Sequence, residues 1–532
     1  LNIEEVFASH LYVGTGDSTQ NTIVNGIDLA GEGGMVWTKS RTNTYNHTIG
    51  DSHSGLTKYL YTNTNATHTD DTNVYYNSFN SNGYTVGQSG VATANELNNL
   101  NQDFVSWTWR KAEKWFDIVS WSGNGVAGRQ IPHSLGSVPG MIIMKSTSTA
   151  IAWTCYHRSL GNTKQIAFSQ GNAANTTTNA WNDTSPTSTH FTVGTGNNTL
   201  NRTYVAYIFA HHDDDGGFGP SGDMDAIKCG SYTGNGSSTG PEIDLGFEPQ
   251  WVMIKRTDSS GDWELYDVMR GMPVVYASYR LISNDATAEV EAGSSLLKPT
   301  ATGFQITTTN NGLNASSGNY IYMAIRRGPM AVPEDADDVF AMDTLGGTSP
   351  TPPGWNSGFP IDMAIYKHEG NTTDYVNTAR LIQTKYLLPN DNDAEYQLTT
   401  LMYDYQDGYF NTTSTDSQYI SWMWKRAPSF CDVVAYTGNG TAGLTIDHNL
   451  GVKPEMIWVK RRNSARDWGT GFDALGWTKR GPALNSTETS YTTTTWWNDT
   501  DPTSTQVTLG QNATVNASGS DYIMYLFGSI DG

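Results

Sequence analysis

The stretch "DVVAYTGNG" at residues 432–440 decides how this chain is read, because it is written three times. "DIVSWSGNG" occupies 117–125 and "KCGSYTGNG" occupies 228–236. A glycine–asparagine–glycine loop could cradle a ligand, or it could be a turn that every copy of a repeated domain requires. Gly125, Gly236 and Gly440 stand 111 and 204 residues apart. The second spacing is close to twice the first, so a worn copy is expected near residue 338, where "DDVFAMDTLGG" (337–347) lies. Counting backwards gives another, "EVFASHLYVGTG", ending at Gly16. Fixed-period self-similarity is the signature of a repeat architecture.

The flanking sequence recurs in the same order. An Ile and a Leu-Gly follow the turn, as in "IPHSLG" (131–136) and "IDHNLG" (446–451). An apolar strand ending in lysine comes next: "PGMIIMK" (139–145), "PQWVMIK" (249–255) and "PEMIWVK" (454–460). "GGMVWTK" (33–39) and "IDMAIYK" (361–367) are weaker copies. Eight residues beyond the lysine stand Trp153, Trp263 and Trp468, which read as core residues. Each repeat closes on an aromatic-rich strand, such as "FVSWTWRK" (104–111) or "YIMYLF" (522–527). Five repeats follow, expected at 1–112, 113–214, 215–330, 331–427 and 428–532, the fourth divergent. Trp107 and Trp422 are 315 residues apart, as are Gly125 and Gly440, so the fourth and fifth repeats echo the first and second.

Composition sets the class. The chain has 532 residues, only 37% hydrophobic and 16% charged, yet it carries 17 Trp, 28 Tyr and 16 Phe to bury. Thr, Tyr, Trp and Val suit strands, while Gly, Asn and Asp suit turns. Short apolar runs separated by turn residues predict an all-β tandem array of about five β-sandwiches, of jelly-roll or laminin-G-like type, forming an elongated molecule. The closing strands are apolar at nearly every position, which predicts burial on both faces or pairing with neighbouring repeats.

A formal charge of −21 excludes wrapping of nucleic-acid phosphate and attraction to an anionic membrane. No apolar run is long enough to cross a bilayer as a helix, and the first residues lack the basic and apolar regions of a signal peptide. Cys155, Cys229 and Cys431 form no C-x-x-C pair, and Cys229 and Cys431 read as small buried hydrophobes. His133 and His448 follow an Ile in one turn, but "EIDLG" has no histidine there, so both read as turn or surface residues. Asp213, Asp214 and Asp215 are the one weak candidate for a metal, Ca²⁺, although the spaced acid pattern of a calcium loop is missing. No nucleophile elbow, zinc motif or phosphate loop is present, so the chain is expected not to be an enzyme, and no cofactor is expected.

The repeated glycines are assigned to turns. Gly14 and Gly16, then Gly123–Asn124–Gly125, Gly234–Asn235–Gly236 and Gly438–Asn439–Gly440, end the first strand of their repeats. The worn copies keep glycine and lose asparagine, as a turn allows and a specific side-chain ligand does not.

The strings "EVFASHLYVGTGDSTQ" (5–20), "GIDLAGEGGMVWTKSR" (26–41), "FVSWTWRKAEKWFDIVSWSGNG" (104–125) and "AHHDDDGGFGPSGDMDAIKCGSYTGNG" (210–236) resemble a repeat domain of virion structural proteins of marine tailed phages, cyanophages in particular. The resemblance covers essentially the whole chain and brings no catalytic residues. It implies a fibre or appendage subunit on tail or capsid, contributing to host-surface attachment. Expected partners are other virion proteins, a host-surface glycan and further copies of the chain, a trimer being usual for a fibre. The alternative is a carbohydrate-binding adhesin whose exposed loop aromatics stack on sugars.

Overall fold

The closing strands are apolar throughout because each runs down the middle of a sheet. Asp103–Arg110 pairs antiparallel with Phe7–Val13 on one side and with Gly34–Ser40, the lysine strand, on the other. Thr203–Phe209 lies likewise between Phe116–Ser122 and Met141–Ser146. Asn319–Arg326 lies between Ile227–Thr233 and Pro249–Arg256. Tyr419–Trp424 lies between Phe340–Thr344 and Met363–His368, and Asp521–Phe527 between Cys431–Thr437 and Met456–Arg461. The closing strand therefore pairs inside its own repeat and not with a neighbour. This computed structural model describes residues 1–16, 18–70, 75–87, 96–274, 278–345, 353–411 and 417–529; Gly346 and Gly347 of the worn turn lie outside them.

One strand order recurs in all five large sheets: opening strand, closing strand, lysine strand, then hairpin strands running out to an edge. In the fifth repeat, among the described residues, only Gly469–Phe472 extends the large sheet, and Lys479–Arg480 pairs with Tyr491–Thr492 as a separate two-stranded ribbon. A smaller antiparallel sheet faces each large one. In the first repeat it contains Asn21–Val24, Gly83–Val86 and Tyr76–Asn80. Ile23, Val36, Tyr76, Tyr84 and Val86 fill the space between the two layers. The fifth repeat does the same with Val434, Ile446, Ile457, Trp497 and Leu509. Alternation along the opening strand sends one set of side chains into this core and the other outwards. The α-helices of the described residues, Thr178–Trp181, Asn311–Asn314 and Ala513–Asn516, have four residues each. The fold is thus nearly all-β, a tandem run of β-sandwiches.

The sandwiches gather into two compact units. Unit 1 holds the large sheets of repeats 1–3; unit 2 holds repeats 4 and 5 together with residues 271–277 and 293–304. Within unit 1 the repeats are not strung in a row. The residue two places after the strand-end lysine offers its carbonyl to the neighbouring repeat, just before that neighbour's last edge strand. Thr147 O accepts from His68 N, Thr257 O from Ala174 N, and Arg41 O from Glu289 N. The contacts run from repeat 2 to 1, from 3 to 2, and from 1 to 3. The same positions used head to tail three times make a closed ring with pseudo-threefold symmetry.

The outward faces of the three large sheets meet inside that ring. Asp51, His157 and Asp267 occupy one register position, opposite Met35, Met141 and Trp251. Each meets the closing strand of a neighbour: Tyr207 Oη donates to Asp51 at 2.8 Å, Trp107 Nε1 to Asp267 at 3.1 Å, and His157 Nε2 lies 3.0 Å from Tyr322 O. Trp109 packs edge-on against both Phe209 and Trp251. In unit 2 one such seam recurs, with Arg462 O accepting from Glu395 N.

Candidate functional site

The residues that recur most faithfully converge on these seams. The strand-end lysine is buried, with Lys145, Lys255 and Lys460 exposed by 1% or less, because the strand runs its end under the adjoining repeat. A buried ammonium needs acceptors, and backbone carbonyls supply them. Lys145 Nζ donates to Ile151 O at 2.7 Å in its own repeat and to Asn65 O at 3.0 Å in the preceding one. Lys255 Nζ reaches Gly261 O at 2.7 Å and, across the seam, Gly171 O at 3.2 Å. Lys460 Nζ bridges Arg461 O at 2.9 Å and Asn392 O at 3.2 Å. Burial pulls all three ammonium groups down to about 8.

The tryptophan eight residues later completes the staple. Trp153 Nε1 donates to Tyr61 O, Trp263 Nε1 to Ala167 O, and Trp468 Nε1 to Leu388 O, at 2.9, 2.9 and 2.8 Å. All three indoles are 1% exposed or less. They fill the junction between repeats and not the interior of one sandwich. Asp262 and Asp467 are turn residues that orient them: Asn284 and Asn485 each donate to the aspartate and accept from the tryptophan backbone N–H.

The seam from repeat 1 to repeat 3 is built differently. His47 stands where the tryptophan would, and its Nδ1 accepts from Trp37 Nε1 at 3.1 Å. Burial, then Lys39 and Arg270, holds its pKa well below the ordinary histidine value, so the ring stays neutral. Among the described residues Lys39 Nζ bonds to Ser40 O and Asn43 O of its own repeat. An ionic network takes over. Fully buried Arg270 donates to Asp267 at 2.6 Å and to Glu289 at 3.0 Å, and Glu289 pairs with Arg41 of repeat 1 at 2.7 Å. A third donor goes from Arg270 to Leu265 O.

The glycine motif is a clamp with separate duties for each residue. A Cβ on Gly14, Gly123, Gly234 or Gly438 would come within 2.0–2.5 Å of a carbonyl oxygen, so the first glycine is set by close approach. Gly16, Gly125, Gly236 and Gly440 have φ of 116°, 77°, 68° and 73°, so the last one is set by conformation. Asn124, Asn235 and Asn439 accept from the N–H two residues on, an Asx turn. The aromatic before the motif lies flat on the first aromatic of the closing strand: Tyr12 on Phe104, Trp121 on Tyr204, Tyr232 on Tyr320 and Tyr436 on Tyr522.

A buried asparagine missed in the sequence locks this turn. Asn314 Oδ1 accepts from Asn235 N and Gly236 N, while its amide donates to Asn235 Oδ1, Ser237 O and Thr308 O. Asn516 does the same for Asn439 and Gly440, Asn198 for Asn124, and Asn98 for Thr15. The signal was present: Asn98, Asn198, Asn314 and Asn516 each stand six residues before that first closing-strand aromatic. The divergent repeat has Thr413 at this spacing, outside the described residues.

Other candidates disperse. Asp213, Asp214 and Asp215 are exposed, and their loop closes on itself, with Asp213 N donating to Asp215. The acid that organises the loop is Asp225, which accepts from Asp214 N and Gly216 N. Burial would raise Asp225, but the Asp214 N–H and the Lys228 ammonium outweigh it and hold the carboxyl below its usual range. No group of three His, Cys, Asp or Glu side chains among the described residues is placed to hold a metal. His133 and His448 are not surface residues: they are buried, and their Nδ1 atoms accept from Leu135 N and Leu450 N to shape the turn. The same turn is anchored by Asp117 and Asp432, also missed, which accept from Ser134 N and Asn449 N. All three cysteines are buried and unbridged. An open depression of about 490 Å³ beside the Gly14–Gly16 turn is lined by Asn43, Tyr45, Asn99 and Gln102 among others.

The structure defines a tandem β-sandwich protein whose recurring residues build seams and turns. The chain belongs to the family described as a domain of unknown function (DUF7483), which matches residues 4–329 and 337–532. The first match takes in the three repeats of unit 1 and the second the two of unit 2. No curated protein matches the chain.

Proposed function

We propose that the chain is a non-enzymatic structural component of a phage virion, a fibre or appendage subunit on tail or capsid that contributes to host attachment. The observation that carries this reading is where the chemistry-bearing side chains go. The recurring lysines, tryptophans, asparagines and buried acids are engaged in joining repeats and closing turns. A protein that transmits load through many small domains needs such joints, and the net charge of −21 keeps densely arrayed copies apart. The resemblance of the repeats to phage virion proteins supplies the setting: assembly in the bacterial cytoplasm, residence on the particle, other virion proteins as partners. Purified virions labelled with antibody to this chain and viewed by negative stain test it. Label on an appendage is expected; absence from the particle overturns it.

A second reading, a carbohydrate-binding adhesin, is favoured by the open depression beside the first turn. Amide side chains and a tyrosine, here Asn43, Asn99, Gln102 and Tyr45, are groups that bond and stack on sugars. No tryptophan is exposed among the described residues, so tyrosines would have to do the stacking. Glycan-array binding abolished by Tyr45→Ala would establish this reading, and an array without binding removes it.

A further inference from the structure

Unit 2 leaves open a face that unit 1 covers. The third residue of the opening strand points outwards from the large sheet, and Ser9, Ile118, Cys229 and Val433 are each at most 9% exposed there. Met342, the same position in repeat 4, is 62% exposed. Around it Phe340, Trp422, Trp424, Trp458 and Phe527 are only half-buried. Their register equivalents Phe7, Trp107, Trp109, Trp37 and Phe209 are 2% exposed or less. Both kinds of seam-forming end are also solvent-facing. Tyr375, eight residues after Lys367, holds the tryptophan position of repeat 4 at 44% exposure, and Tyr491 on the last edge strand of repeat 5 is 51% exposed.

In unit 1 those ends and that apolar face are covered by a third repeat. Repeats 4 and 5 echo repeats 1 and 2, so unit 2 has two sectors of a three-sector plan. We infer that this face is a self-association surface whose occupant is a second copy of this chain. The copies pair about a two-fold axis. The lysine end of repeat 4 in each, with Tyr375, meets the edge strand Tyr491–Thr492 of repeat 5 in the other, and the Met342–Trp424 face is buried between them. The choice of a second copy follows from complementarity. One chain carries both a lysine end and an edge strand of the kind that fit each other at four seams, and a two-fold pairing satisfies both at once. The apolar face is continuous with the seam already formed by Trp468 and Leu388, and patches of large apolar side chains on a soluble protein mark such contacts. The inference stands apart from the virion reading, since it concerns purified chain alone.

Sedimentation equilibrium of the full chain tests it. The expected result is a dimer whose dissociation constant rises about tenfold or more in Met342→Asp, as loss of a central apolar contact predicts. Met342 is already exposed in the single chain, so this variant retains its circular dichroism. Leu200→Asp, an equally exposed site in unit 1, leaves the dimer intact. The geometry has its own test. Chains carrying Tyr375→Cys, mixed with chains carrying Tyr491→Cys, cross-link on oxidation, and neither variant does so alone. A monomer, an oligomer of another number, a dimer indifferent to Met342→Asp, or cross-linking within either single variant overturns the inference.

Discussion

Units 1 and 2 use one construction and stop at different points. In unit 1 three repeats supply three seams, and every outward face is met by another. In unit 2 one seam joins two repeats, and the equivalent aromatic face is half open. The seams are also unequal in kind. Two in unit 1 and the one in unit 2 use the lysine–tryptophan staple, the last with an Arg462–Glu395 ion pair beside it, whereas the seam that closes the ring has no staple and relies on the network around Arg270. At the closing joint the lysine and tryptophan bonds across the seam have given way to side-chain ions.

The largest test of that contrast is Arg270→Met. It leaves Asp267 buried without its guanidinium and Glu289 with Arg41 alone, a loss of about 3–5 kcal/mol. Calorimetry should show the transition of unit 1 falling sharply while that of unit 2 stays in place; a common shift of both would mean the units do not melt separately. Next comes the staple. Trp263→Phe and Trp468→Phe each leave a buried carbonyl without its donor, costing about 1–3 kcal/mol. The ring keeps two other seams and the pair keeps none, so amide exchange should accelerate more at residues 385–397 in Trp468→Phe than at 164–176 in Trp263→Phe.

Within one turn, the two glycines separate. Gly236→Ala asks alanine to hold φ 68° and costs about 1–2 kcal/mol by denaturant titration. Gly234→Ala drives a Cβ to 2.3 Å from Ala315 O and costs more. Equal effects would mean that the close approach relaxes freely. The smallest effect is a slope. Lys255 titrates at about 8 when folded and at 10.5 in the open chain. Between those values the unfolded chain holds more protons, so raising the pH from 8 to 9.5 removes a cost of folding and adds stability. Lys255→Met should flatten the rise of melting temperature across that window, and an unchanged slope would show that the carbonyls keep the ammonium charged.

Much of the fold was legible because repetition multiplies weak signals. "GNG", "LG" and the lysine-ended strand each say little once, but their ordered recurrence, three times in full and twice worn, defines a strand-turn grammar that the sheet order reproduces. What stayed hidden was partnership. Trp153, Trp263 and Trp468 read as core because a buried seam between sandwiches and a buried core within one select the same residue type. His133 and His448 read as turn or surface residues because one repeat lacks the histidine; they do shape the turn, but that turn is buried with its own anchor, Asp117 or Asp432. The locking asparagines were visible only as a spacing, in a chain so rich in asparagine that one more drew no notice. Ring closure was beyond reach, since Arg41 and Glu289 lie far apart in sequence and nothing around them marks them as partners, although Arg462 and Glu395 form the equivalent pair in unit 2.

The closed ring has a consequence for how the two halves respond to concentration. Three sandwiches that would have to find one another as separate molecules are here joined by peptide, so each seam forms against a high effective concentration fixed by linker length. Dilution cannot open unit 1. Whatever completes unit 2 from outside arrives by collision and leaves with a measurable lifetime. By the self-association inferred above, one chain would hold both a permanent assembly and a conditional one, built from the same strand, turn and lysine.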